Sequence, residues 1–155
     1  FSLLLQVAGR GGRGDVPGRV IIQTLNEDHY VFGYLKNHDY YGFYRHELSV
    51  RRALGYPPFS RITRLLARGP DEAAVEGAIA RVAEVLREGL GGVPNATVLG
   101  PAKAPLARIG GNHRHHVIIK ARDIESIRPA LRMAGSERLP RGVYLEIDVD
   151  PFDML

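Results

Sequence analysis

"SRITRLLARGPDEAAVEGAIARVAEVLREGL", residues 60–90, changes its hydrophobic period part-way along. Its first ten residues read as a strand rich in branched side chains. Gly69-Pro70-Asp71-Glu72 then breaks the pattern and opens a helix, with proline near the first position and acidic residues in the first turn, where the helix dipole favours them. Val75, Ala78, Ile79, Val82, Val85 and Leu86 follow at spacings of three and four, which gives one apolar stripe and a charged, solvated opposite face. Working outward, "ATVLG" (96–100) reads as a short strand and "HRHHVIIKA" (113–121) as a longer one. A short helix spans about 124–133, and "GVYLEIDV" (142–149) is a last strand. The order β-α-β-β-α-β predicts an α+β chain carrying a split βαβ domain, with two helices covering one face of an antiparallel sheet.

Upstream, "GYPPF" (55–59) marks a domain boundary. Before it, an aromatic-rich segment predicts two helices, residues 27–36 and 39–54. Asp39 is the N-cap of the second, Glu47 and Arg51 sit one turn apart, and Gly55 with Pro57 and Pro58 stops it. "RVIIQTL" (19–25) reads as a strand after a Pro17-Gly18 turn, while "SLLLQVAG" (2–9) fits a helix or a short buried strand equally well.

Composition narrows the function classes. The 155 residues are 45% apolar and 25% charged, enough for one real core. No run approaches the roughly 18–20 apolar residues of a membrane span. With no cysteine there is neither a disulfide framework nor a thiolate metal site, which fits a reducing compartment, the cytosol by default. The chain opens on Phe1 inside an apolar run, as a piece of a longer protein would. Net charge +4 and pI near 9.6 permit a polyanionic partner. From Pro101 to Arg122 stand Lys103, Arg108, Arg114, Lys120 and Arg122, with His113, His115 and His116 and no acid among them.

"QVAGRGGRGD" (6–15) admits three readings. Gly9, Gly11 and Gly14 fit a dinucleotide fingerprint, but that motif needs a helix after its third glycine, and here Asp15-Val-Pro-Gly and a strand candidate follow. Arg13-Gly14-Asp15 matches an adhesion tripeptide, a coincidence in a basic, cysteine-free chain. The third reading uses the arginines. Two permanently charged, forked guanidiniums close together can converge on a γ-phosphate. An arginine finger of this kind accelerates hydrolysis by about 10³ to 10⁵.

Together, "QVAGRGGR" resembles motif VI of the superfamily 2 helicases, Q-x-x-G-R-x-x-R. With "YYGFYRHELSVRRALGYPPFSR", "VLGPAKAPLARI" and "LEIDVDPFDML", the resemblance narrows to the C-terminal part of the primosomal protein N′ family, the bacterial replication-restart helicases, and runs from Gln6 to the end. It implies that Gln6, Arg10 and Arg13 contact nucleotide, with Arg13 the finger and Arg10 a second phosphate contact. It also implies that residues 1–26 end a RecA-like second helicase lobe, 27–57 form a helical connector, and 58–155 form the DNA- and partner-binding domain. The intact protein would use ATP and Mg²⁺, with zinc held by cysteines upstream. It would act in the bacterial cytoplasm as a 3′-to-5′ helicase on forked or single-stranded DNA, assembling with other primosome proteins. The family's DNA-binding role extends by resemblance to Lys103, Arg108 and Arg114. Its docking of the acidic C-terminal tail of the single-stranded-DNA-binding protein extends to Arg128 and Arg132, with Pro129 between them shortening or kinking their helix. The alternative is a non-catalytic DNA- or protein-binding module from a relative that has lost its ATPase motifs.

The chain lacks a P-loop, since its only lysines, Lys36, Lys103 and Lys120, stand in no G-x-x-x-x-G-K-[ST] setting. "DEAA" (71–74) opens the amphipathic helix and follows motif VI, so it is not a helicase acidic box. Asp148 and Asp150 end a strand and brace the domain in preference to binding a metal. A zinc site at His113, His115 and His116 is disfavoured because strand alternation sends His115 and His116 to opposite faces and no carboxylate or thiol is near. None of these residues is assigned to a metal.

Overall fold

The computed structural model describes residues 1–9 and 20–152. The chain divides into two compact units, Phe1–Val50 and Arg51–Leu155.

The first unit contains helix α1 (Ser2–Ala8), helix α2 (Tyr30–Lys36) and most of helix α3 (Tyr40–Ala53). "SLLLQVAG" is thus helical. The expected strand over 19–25 is not formed: residues 20–25 are irregular, and Ile21 and Leu25 are exposed. Branched side chains suit a strand, but a strand needs a ladder partner, and none pairs with this segment among the described residues. Asp39 caps α3 as expected, its Oδ1 accepting from the Gly42 N–H at 2.8 Å. His29 caps α2 through Nδ1, 3.3 Å from the Val31 N–H. Aromatic packing holds the helices: Phe1 stacks on Phe43 at 4.3 Å and Tyr30 on His46 at 4.4 Å.

The second unit is the split βαβ domain. Strand β1 (Arg61–Gly69), helix α4 (Glu72–Leu90), strands β2 (Thr97–Ile109) and β3 (Asn112–Ala121), helix α5 (Arg128–Gly135) and strand β4 (Tyr144–Val149) follow in that order. The sheet runs β2-β3-β1-β4, every neighbour antiparallel. Asp71 caps α4, accepting from the Ala74 N–H at 3.1 Å, and Val75, Ile79, Val82 and Leu86 bury their side chains fully. Each such burial stabilises by roughly 1.5–3 kcal/mol. These residues meet Leu65 and Ala67 of β1, Val117 and Ile119 of β3, and Ala130, Leu131 and Ala134 of α5. The backbone entering β4 approaches the end of β1 closely where a side chain is absent: a Cβ on Gly69 would lie 2.7 Å from the Gly142 carbonyl oxygen.

Residues 101–109 are not a loop after a short strand; β2 continues to Ile109 and turns into β3 through Gly110 and Gly111, both at positive φ. Pro101 and Pro105 punctuate the sequence because they lack an N–H, but β2 is an edge strand, where prolines are tolerated. Register shifts between Leu99 and Ala102 and between Lys103 and Arg108 absorb them.

Candidate nucleic-acid interface

Strand alternation sorts the basic window onto two faces of the sheet. Val117 and Ile119 of β3 belong to the core under α4 and α5, so His113 and His115 share the helix-covered side. Lys103 and Arg108 pair with His115 and His113 in the register, and therefore lie on that side. Arg114 and His116 point the other way. Arg114 pairs with Arg68 of β1 and is largely buried, with Nη1 donating to the Leu106 carbonyl at 3.1 Å. The three expected DNA contacts, Lys103, Arg108 and Arg114, thus do not form one surface: Lys103 and Arg108 are exposed along the β2 edge, and Arg114 belongs to the opposite face.

Nor is the helix-side edge purely basic. Glu72, in the first turn of α4, receives a hydrogen bond from Lys103 Nζ at 2.8 Å. Its two oxygens also lie 3.4 Å from His113 Nδ1 and 3.8 Å from His115 Nε2. The expectation that no carboxylate stands near these histidines is therefore wrong, because the fold brings α4 over the hairpin. Lys103 holds the Glu72 carboxyl below its usual range, first through the hydrogen bond and then through its charge, and Glu72 raises the Lys103 ammonium in return. The described residues contain no group of three histidines or carboxylates arranged to hold a metal.

On the far face, β1 arginines meet β4 acids. Arg64 pairs with Asp148 at 3.4 Å and Arg68 with Glu146; just past the end of β4, off this face, Asp150 pairs with Arg61 at 2.6 Å. Asp148 and Asp150 brace the sheet, as the sequence suggested. Arg68 also lies over the Tyr144 ring at 5.3 Å. His116 sits among these cations; burial, and then the charges of Arg64, Arg114 and His115, hold its ring pKa down.

Gln6 is exposed on α1. Arg10 and Arg13 lie outside the described residues. Arg128 and Arg132 both belong to α5, Arg128 bonded to Glu125 and Arg132 exposed in the last turn. Pro129 stands in the first turn of α5, where its missing N–H costs nothing. It starts this helix and neither kinks nor interrupts it.

Residues 52–152, which hold the whole split βαβ sheet, match the family of the primosomal protein N C-terminal domain. The chain belongs to that family. Over 99% of its length it is 41% identical to the replication restart protein PriA of Synechocystis sp., of which it covers 18%. It is 33% identical over its full length to PriA of Bacillus subtilis, covering 20% of that protein, and 36% identical to PriA of Treponema pallidum, covering 23%. The chain thus spans about a fifth of the length of these relatives.

Within this primosomal protein N C-terminal domain, a cleft of about 380 Å³ lies between α4 and the segment before β4, lined by Ala78, Leu139 and Pro140 with Arg81 and Arg138. Sequence reading missed Glu72 as a partner of the basic window. No local signal could have found it, because the contact joins a helix start to a hairpin that follows it in the chain. No helix among the described residues is long and apolar enough to cross a membrane.

Proposed function

We propose that the chain is the C-terminal part of an ATP-dependent 3′-to-5′ DNA helicase that restarts replication at stalled forks and assembles the primosome in the bacterial cytoplasm. The observation that carries this reading is the spacing of Gln6, Arg10 and Arg13 in "QVAGRGGR", on the same chain as, and upstream of, a domain of this family that begins at residue 52. In the intact protein, Arg13 stabilises charge on the γ-phosphate of a Mg²⁺–ATP bound mostly by upstream sequence, and Arg10 and Gln6 complete that wall of the pocket. The names of the PriA relatives support the replication-restart role, and the zinc expected in such a protein is held upstream of this cysteine-free chain.

The DNA contacts are backbone contacts, forked or single-stranded DNA being held by charge without sequence readout. Lys103 and Arg108 on the β2 edge are the exposed members of the expected set, and Arg114 shapes the edge from beneath. Arg128 and Arg132 on α5 stay the proposed contacts for the acidic tail of the single-stranded-DNA-binding protein.

The test is Arg13→Ala in the intact protein. DNA-stimulated ATP turnover is expected to fall by about 10³ or more, with DNA affinity kept within about twofold, as befits a residue that meets phosphate only in the transition state. Unchanged turnover would overturn the assignment.

A further inference from the structure

Cations in the C-terminal domain divide into those matched by a carboxylate and those that are not. Arg61, Arg64, Arg68, Arg81, Lys103 and Arg128 are each bonded to an acid. Three others converge with none. Arg52 at the end of α3, Lys120 of β3 and Arg122 just beyond it line a cleft of about 570 Å³ together with Ser60, Asn95 and Thr97. Among the described residues no carboxylate comes within ion-pair distance of these three. Asp123, next to Arg122, has its Oδ1 turned to the Ser126 N–H at 2.8 Å; the Ser126 bonds first, and then the charge of Arg122, hold its carboxyl below the usual range, so Arg122 is offset in part without being bonded.

Two of the cations are held by other means. Lys120 Nζ donates to the Leu54 carbonyl at 2.8 Å and lies 4.5 Å above the Tyr56 ring. The Arg52 guanidinium sits 4.6 Å from the Phe59 ring centre. Such contacts fix an ammonium or guanidinium in place while leaving its charge uncancelled. Thr97 pairs directly with Lys120 across the β2–β3 ladder, so a neutral hydroxyl stands beside the ammonium.

We infer that this cleft is a binding site for the phosphodiester backbone of a nucleic-acid strand. Cations with no carboxylate bonded to them, two of them fixed in place, with hydroxyl and amide donors between them, match phosphate oxygens. An acidic peptide would also need a wide apolar wall for its side chains, whereas the apolar lining here is Ala53, Leu54 and Phe59, and the Phe59 ring already carries the Arg52 guanidinium. For the same reason bases do not stack here, and recognition is independent of sequence. The inference deepens the proposed DNA-binding role and rests on it.

Anisotropy of a labelled oligothymidylate, titrated with the 155-residue chain at several salt concentrations, tests it. The double variant Arg52→Gln/Arg122→Gln leaves the Lys120 hydrogen bond intact. It is expected to bind at least about fivefold more weakly and to flatten the salt slope by about 1.4, at about 0.7 per lost single-strand contact. The charge-matched variant Arg138→Gln/Arg141→Gln should stay within about twofold of wild type. Equal losses in both doubles, or none in either, overturn the site. So does a difference that persists with an uncharged methylphosphonate oligonucleotide. Displacement of the strand by equimolar dTMP would assign the cleft to free phosphate instead and overturn the backbone reading. If the wild-type chain binds no strand at all, the DNA-binding role fails first; if it binds and only the variants fail to differ, the role stands and this site alone falls.

Discussion

Replacing Thr63 by valine should make the domain more stable. Thr63 lies on β1 opposite Ile119 and Val149, is fully buried, and its Oγ1 has no hydrogen-bond partner among the described residues. A hydroxyl taken out of water without compensation costs about 1–3 kcal/mol on mutational scales. Valine keeps the branched shape, puts a methyl where the hydroxyl stood and favours the pleated strand. The expected gain is therefore about 1–3 kcal/mol, which for a domain of this size raises Tm by roughly 5–20 °C. Thermal melts by circular dichroism and urea titration should agree, with the urea midpoint moving up and the slope unchanged. Thr63→Ser, which keeps the hydroxyl and drops the methyl, should move the opposite way. A valine variant that melts at or below wild type would show that the hydroxyl is satisfied and that the reasoning is wrong.

Glu72→Gln removes the carboxylate that holds Lys103 and faces His113 and His115. At low salt DNA should bind about two- to fivefold more tightly, with a salt slope steeper by about 0.7–0.9, as for one added phosphate contact; weaker binding would exclude Lys103 as a contact. For His116, whose folded pKa is lowered by burial and by Arg64, Arg114 and His115, the unfolded chain binds the proton more readily. Stability is thus full above the unfolded pKa and lost as pH falls from about 7 towards 5. His116→Gln should flatten that part of the Tm-versus-pH curve, and a difference between the two proteins that does not change with pH would refute it. Gly69→Ala drives a Cβ to 2.7 Å from the Gly142 carbonyl oxygen and 3.2 Å from Val75 Cγ2. It should cost about 1–3 kcal/mol in a denaturation experiment.

Local signals carried the split βαβ order well, because period and caps act within a few residues. The stripe from Val75 to Leu86 is the buried face of α4, with Val85 at its margin, and Asp71 is its cap. What failed depended on partners distant in sequence. Residues 20–25 have strand composition but find no ladder. The prolines of β2 look like breaks until the strand's edge position is known. The basic window reads as one patch because a linear sequence hides both the alternation that turns Arg114 from Lys103 and the helix start that sets Glu72 against it. The cleft at Arg52, Lys120 and Arg122 was half visible, as two cations of the window, and lacked its third member in the preceding helix.

The net charge of +4 is a poor guide to where a polyanion can sit. On β1, Arg61, Arg64 and Arg68 make a denser run of guanidiniums than the hairpin does, yet each is answered from Asp150, Asp148 or Glu146 at the far edge. Such cross-strand pairs contribute about 0.2–1 kcal/mol each to the sheet and present little net field. A phosphate approaching them would have to displace a carboxylate already in place. At Arg52, Lys120 and Arg122 it would displace no bonded carboxylate, since the aromatic rings and the Leu54 carbonyl position Arg52 and Lys120 without neutralising them. Counterion release, the main source of backbone affinity, is available where charge is fixed but unanswered. The distinction between answered and unanswered cations, more than their number, separates the part of this domain built for cohesion from the part available to a strand.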